Sequence, residues 1–202
     1  KKCISVDKTT GDVTISKLNE VSHRTMVYLN HDSNTFAKGF KIAKIEGSLV
    51  ISSNNSREFK GKVEEVTDGV FYSFCDKMVS LKNSPKIITG TLGVTFCESL
   101  VSLACSTESV DKIRLNELKR LEDLSGFPKT ITDEIEIQEC PMLKSYGDLP
   151  DEYRSKIKFL GKENPIEKWE KTLMQTNVKS GGGSLMDLVD DGGSEGTVTY
   201  VK

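Results

Sequence analysis

The chain has 202 residues, 36% of them hydrophobic, and a formal net charge of −2 from 28 Lys+Arg against 30 Asp+Glu. That balance supplies no basic excess to draw nucleic acid or an anionic membrane. No apolar run approaches the roughly 20 residues a membrane span needs, and the modest apolar share suits a thin column of core rather than a compact globule.

Residues 1–46 read as a β-rich N-terminal cap. Cys3–Val6 and Val13–Ile15 are short strand patterns flanking Asp7-Lys-Thr-Thr-Gly11-Asp12, the composition of a hairpin turn. Arg24–Asn30 and Phe40–Ile45 are further strand candidates. His23 and His31, the two histidines, both fall in this stretch.

From Gly47 the sequence repeats every 21 or 22 residues, with blocks starting at Gly47, Asp68, Gly90, Asp111, Asp133 and a truncated one at Ser155. Each block opens with an alternating strand: Leu49/Ile51, Val70/Tyr72, Leu92/Val94, Ile113/Leu115, Ile135/Ile137, Ile157/Phe159. The four middle blocks then carry apolar pairs spaced by three, namely Met78/Leu81, Leu100/Leu103, Leu121/Leu124 and Leu143/Tyr146. Pro85, Pro128 and Pro150 follow, with Thr107 at the matching place in the odd block. A fixed period of this length marks a solenoid, whose short unit buries its apolar face only when neighbours stack on it. The prediction is a mainly β, leucine-rich-repeat-like solenoid over 47–160. It has one parallel strand per repeat and short turns where a helix would be interrupted by proline.

Residues 161–179 read as a helical C-terminal cap. Asn164-Pro165 is a helix start, and Ile166, Trp169 and Leu173 share one face that would cover the last coil. Residues 180–202 begin with Ser180-Gly-Gly-Gly-Ser184, a flexible linker composition. They continue through Leu185–Asp191 to the β-prone Thr197–Val201; the segment is read as an engineered addition or tethered peptide, with a native flexible tail as the alternative, and 197–201 as a strand added to the N-terminal cap of this molecule or of a neighbour.

The five cysteines are an odd number, against a closed disulfide framework and in favour of a reducing compartment. Cys75, Cys97 and Cys140 stand seven residues after their block starts, where other blocks place Asn54 and Leu118. That is the pattern of a buried ladder, and it lacks the paired spacing of a metal site. No nucleophile, base and oxyanion donor assemble from the remaining residues. The chain is read as non-catalytic, with no metal and no cofactor.

The units Cys75-Asp-Lys-Met-Val-Ser-Leu81, Phe96-Cys97-Glu-Ser-Leu-Val-Ser-Leu103 and Leu124-Ser-Gly-Phe-Pro128-Lys-Thr-Ile-Thr132 resemble those of leucine-rich-repeat-like solenoid proteins of tailed bacteriophages. The resemblance covers residues 47 to about 160. It departs from the pattern in the first block, where Ser56-Arg57-Glu58-Phe59 replaces the leucine pair, and in the third, which lacks its proline. It implies a phage origin and says little about function. With the empty search for chemistry, the expectation is a binding scaffold in the host cytoplasm that presents its sheet face to a host or viral protein, inhibition of a host enzyme being one use the family analogy offers; a virion or assembly component is the alternative.

Strand alternation turns the residues between the buried ones outward. One outward column runs Val50, Phe71, Gly93, Arg114, Glu136, Lys158, another Ser52, Ser73, Thr95, Asn116, Gln138, Leu160, and beyond it stand Ser53, Phe74, Phe96, Glu117, Glu139. Two readings of the phenylalanines are open: coverage by loops or burial in the core, or exposure as an interface. On the second, Phe71, Ser73, Phe74, Thr95, Phe96, Arg114, Asn116 and Glu136 form a protein-binding face, with Phe71 the apolar and Arg114 the polar anchor.

Overall fold

The computed structural model describes residues 4–6, 13–16, 26–29, 41–161 and 163–180. Both histidines and the predicted tail segments Leu185–Asp191 and Thr197–Val201 lie outside them. The fold is a mainly β, parallel solenoid with the repeat spacing read from the sequence.

Its front ladder stacks β3 (Met26–Leu29), β5 (Ser48–Ser52), β7 (Gly69–Ser73), the second half of β9 (Ile87–Thr95), most of β11 (Ser109–Asn116), β13 (Ile135–Gln138) and β14 (Ile157–Phe159) in parallel. The register places Leu49, Val70, Leu92, Ile113, Ile135 and Ile157 in one row, and Ile51, Tyr72, Val94, Leu115, Ile137 and Phe159 in another. Both rows point into the core. A one-residue slip would turn every one of them to solvent, so the alternation itself enforces the register.

One parallel strand per repeat is corrected to two. A second ladder runs β2 (Val13–Ile15), β4 (Lys41–Ile45), β6 (Lys62–Val66), the first half of β9, the first half of β11 and β12 (Thr130–Ile131). Ile45, Val66, Ile88, Val110 and Ile131 line up along it, each almost fully buried. In two coils the ladders fuse into the bent strands β9 and β11, with the register shift falling between Val110 and Lys112. The bend is made by Gly47, Gly69 and Gly90 at positive φ. It is stitched from coil to coil by side chains: Thr67 Oγ1 accepts the Gly47 N–H at 2.9 Å and Asp111 Oδ2 accepts the Gly90 N–H at 2.8 Å.

The N-terminal segment also differs from expectation. β1 (Ile4–Val6) does form an antiparallel hairpin with β2, but β2 and β3 pair in parallel with β4 and β5. Two of its strands thus continue the ladders, because an unpaired strand edge and an open core end are both satisfied by one more coil.

The third side is thin, a two-stranded pairing of β8 (Ser80–Leu81) with β10 (Ser102–Cys105). Here the leucine pairs enter the core, with Leu100, Leu121 and Leu124 wholly buried. In the first coil Phe59 takes that role, edge-to-face with Tyr72 at 6.2 Å. Where the odd coil lacks proline, Thr107 Oγ1 donates to the Pro85 carbonyl at 2.8 Å.

The last coil replaces its second-ladder strand with α1 (Asp151–Arg154), whose Tyr153 hydroxyl donates to the Lys129 carbonyl at 3.0 Å. α2 (Pro165–Ser180) starts as predicted, with Asn164 Oδ1 accepting the Ile166 N–H at 3.0 Å. Its expected coverage of the coil is only partial. Ile166 is buried, whereas Trp169 remains 43% exposed and Leu173 47%. Lys144 sits over the Trp169 ring instead, 5.6 Å from its centroid. The helix leaves the solenoid after its first turn, so only the first of the three apolar residues meets core.

Candidate binding face and its rim

The outward column is one continuous row: Val50, Phe71, Gly93, Arg114, Glu136 and Lys158 are direct ladder partners. Its two halves differ in chemistry. Phe71 lies flat over the backbone of its own strand and the next. A Cβ added at Gly93 would meet Phe71 Cδ1 at 2.7 Å, and one at Gly69 would meet Phe71 Cε2 at 3.1 Å. The two glycines therefore serve as a bed for one ring, which stays half-buried with its outer face to solvent.

The other half is ionic and paired within itself. Arg114 Nε donates to Glu136 Oε2 at 2.6 Å, Lys112 Nζ to Glu136 Oε1 at 2.6 Å, and Lys112 and Lys158 both bind Glu134. Lys112, and then Lys158, hold the Glu134 carboxyl down to about 2. Arg114 is thus exposed but already bound, and a partner's carboxylate would compete with Glu136 for it. That weakens its predicted role as an independent polar anchor.

Ser73, Thr95 and Asn116 form the next row in register, each half-buried at the strand ends. Their carbonyls accept the N–H groups of Ser53, Phe74 and Phe96 from the preceding coils at 2.9–3.1 Å. Asn116 Oδ1 is enclosed without a hydrogen-bond donor among the described residues.

Beyond them the chain turns sharply. Ser53, Phe74, Phe96, Glu117 and Glu139 all adopt φ between 52° and 56°, the left-handed region. The turn sends the following residue inward, to Cys75, Cys97, Leu118 or Cys140, and throws the left-handed side chain outward. Each of the three thiols donates to the carbonyl two residues back, at 3.4–3.5 Å, which explains why cysteine recurs beside this turn. The cysteine ladder is accordingly a core feature.

The left-handed residues make a projecting rim. Phe74 is 54% exposed and Phe96 36%; their rings stack with centroids 4.9 Å apart and planes 7° from parallel. Neither turns into the core, and no described loop covers them. The structure therefore gathers Phe71, Ser73, Phe74, Thr95 and Phe96 on one surface, with Arg114, Asn116 and Glu136 continuing it. The left-handed turn was missed by sequence reading because no glycine or asparagine marks it. The only signal is the repetition of the position itself.

At the C-terminal end, Ile137, Phe159, Leu160 and Pro165 line an open groove of about 630 Å³, together with Glu139, Cys140 and the Glu163–Lys168 ion pair. Among the described residues no group of His, Cys, Asp and Glu is placed to hold a metal, and no helix is long and apolar enough to cross a membrane. No family model, curated protein or solved structure matches this chain.

Proposed function

We propose that this protein is a non-catalytic binding scaffold that presents its front ladder and adjoining rim to another protein. The observation that carries the reading is the aromatic surface of Phe71, Phe74 and Phe96, built over successive coils and left open to solvent. Phenylalanine gains little net stability where it projects from a left-handed turn, because the backbone strain offsets what the stacked rings contribute. Exposed aromatic clusters beside a charged, self-neutralised surface are the usual anatomy of a protein interface, with the aromatics as anchors. A phage origin, and hence a host or viral partner, rests on the repeat resemblance alone.

The test is site-specific photo-crosslinking in bacterial cells, with a photoreactive phenylalanine at Phe71 or, as control, at Lys129 on the proline side. A discrete adduct from Phe71 and none from Lys129 is expected. Phe71→Ala should then weaken affinity for the captured protein by about 2 kcal/mol or more. Equal labelling from both positions would overturn the reading. Adducts confined to structural proteins of assembled particles would favour a virion component instead.

A further inference from the structure

The rim reads as a directional site along the solenoid axis: Ser53, then the stacked Phe74 and Phe96, then Glu117 and Glu139, one residue per coil. Three observations give it a chemical polarity. The first is that Phe74 has one ring face on Phe96, while the coil on its other side offers only Ser53 at the matching position, a side chain too small to cover a ring. This is why Phe74 is more exposed than Phe96. The second is that neither Glu117 nor Glu139 closes a salt bridge among the described residues, although the Lys119 ammonium lies near enough to feel the Glu117 charge. The nearby Lys119 is taken by Glu98 and Lys168 by Glu163. The third is that the backbone here is already held by coil-to-coil hydrogen bonds from Ser53, Phe74, Phe96 and Glu117, so the site is rigid before anything binds.

We propose that this rim takes an extended, positively charged segment of the partner protein lying across the coils. An aromatic side chain of the segment stacks on the open face of Phe74, and a Lys or Arg reaches Glu117 and Glu139. The proposal rests on the binding-scaffold reading and names the chemistry of its partner. Neighbouring coils are about 4.8 Å apart, so three steps from the Ser53 level to Glu117 span roughly 14 Å. An extended chain covers about 13 Å in four residues, and residues four apart project from the same side. The segment therefore carries its aromatic and its basic residue four positions apart. The chain's own tail does not fit: Asp187, Asp190 and Asp191 would meet Glu117 and Glu139 with like sign, and Tyr200 and Lys202 stand two positions apart rather than four.

The experiment is selection of a displayed random decapeptide library on the immobilised full chain. Enriched peptides are then titrated against wild type, Phe74→Asn, the Glu117→Lys/Glu139→Lys double variant and Phe71→Ala. Asparagine is chosen because it accepts the left-handed conformation, and melting curves verify that each variant is folded. The expected result is enrichment of an aromatic residue four positions from Lys or Arg. Affinity should fall at least tenfold on Phe74→Asn and on the charge reversal, and should weaken in 0.5 M salt. Peptides that lack the spacing, or that bind both rim variants as well as wild type while Phe71→Ala abolishes binding, would sink the rim proposal and leave the front-face reading standing. No enrichment, or binding indifferent to all three changes, would overturn both. Concentration-dependent self-association lost in Phe74→Asn would assign the rim to a second copy and refute the basic-segment proposal.

Discussion

Replacing Phe74 and Phe96 by asparagine, singly and together, separates what the rim costs the fold from what it offers a partner. Both phenylalanines sit at φ 54°, where the steric clash of an L side chain costs about 1–2 kcal/mol per residue. Asparagine is one of the few residues that visit this region readily. Against that relief stands the ring stack at 4.9 Å, worth about 0.5–1.5 kcal/mol beyond its burial. The first replacement loses the whole stack and relieves one residue, so its net effect is close to zero. The second relieves the other residue with no stack left to lose. Each half-covered ring also gives up about 1 kcal/mol of burial, so the double variant should stay within about 1 kcal/mol of wild type, while the double-mutant cycle should show a coupling of about 1 kcal/mol. Urea denaturation of the four proteins measures both quantities, and the melting temperature should shift by about 2–4 °C per kcal/mol for a chain of this size. A double variant destabilised by more than about 1 kcal/mol, or a cycle without coupling, would refute the reasoning. It would mean that the two rings hold the coils together, and the main argument for a binding role would go with it.

Gly90→Ala should lower stability by at least about 2 kcal/mol in urea, because φ there is 103° and the new Cβ would run into the Asp68 carbonyl oxygen. Gly161→Ala, which meets nothing within 4 Å, is the neutral control. The ionic half of the face should fail in acid. Glu134 titrates near 2 when folded, held down by Lys112 and Lys158, against an ordinary value of 4.5. Its contribution is thus complete above pH 4.5 and lost as pH falls toward 2. Urea midpoints from pH 6 to 2.5 should drop more for wild type than for Glu134→Gln, and parallel curves would exclude this network as a stabiliser. Finally, Cys75, Cys97 and Cys140 should react with a thiol reagent only on unfolding. All three are buried, and burial pushes the Cys140 thiol up to about 11. Rapid native labelling of these three, read by mass spectrometry, would contradict the closed core.

The front ladder was legible from the sequence because its code is local. Leu49/Ile51 through Ile157/Phe159 alternate at the strand period, and each apolar pair can only face the core. The buried cysteine column and the start of α2 at Asn164-Pro165 were legible for the same reason: the identity and spacing of a few adjacent residues decide them. The second ladder was not, since Lys62–Val66 and the two-residue Thr130–Ile131 carry too few alternating positions to announce a strand. They become one only when the neighbouring coils supply partners. The same holds for the parallel pairing of Val13–Ile15 and Met26–Leu29. Arg114 reads as a free anchor until the register sets Glu136 beside it in the next coil, 22 residues along the chain. The rim is the clearest case. Ser53, Phe74, Phe96, Glu117 and Glu139 share no turn-forming residue type, yet all adopt the same left-handed conformation. What imposes it is the stack itself: the N–H groups of the first four donate to carbonyls one coil on, and the residue after each of the last four enters the core. A strand's pattern is written in its own residues. A conformation held by hydrogen bonds to the next coil exists only once that coil is in place.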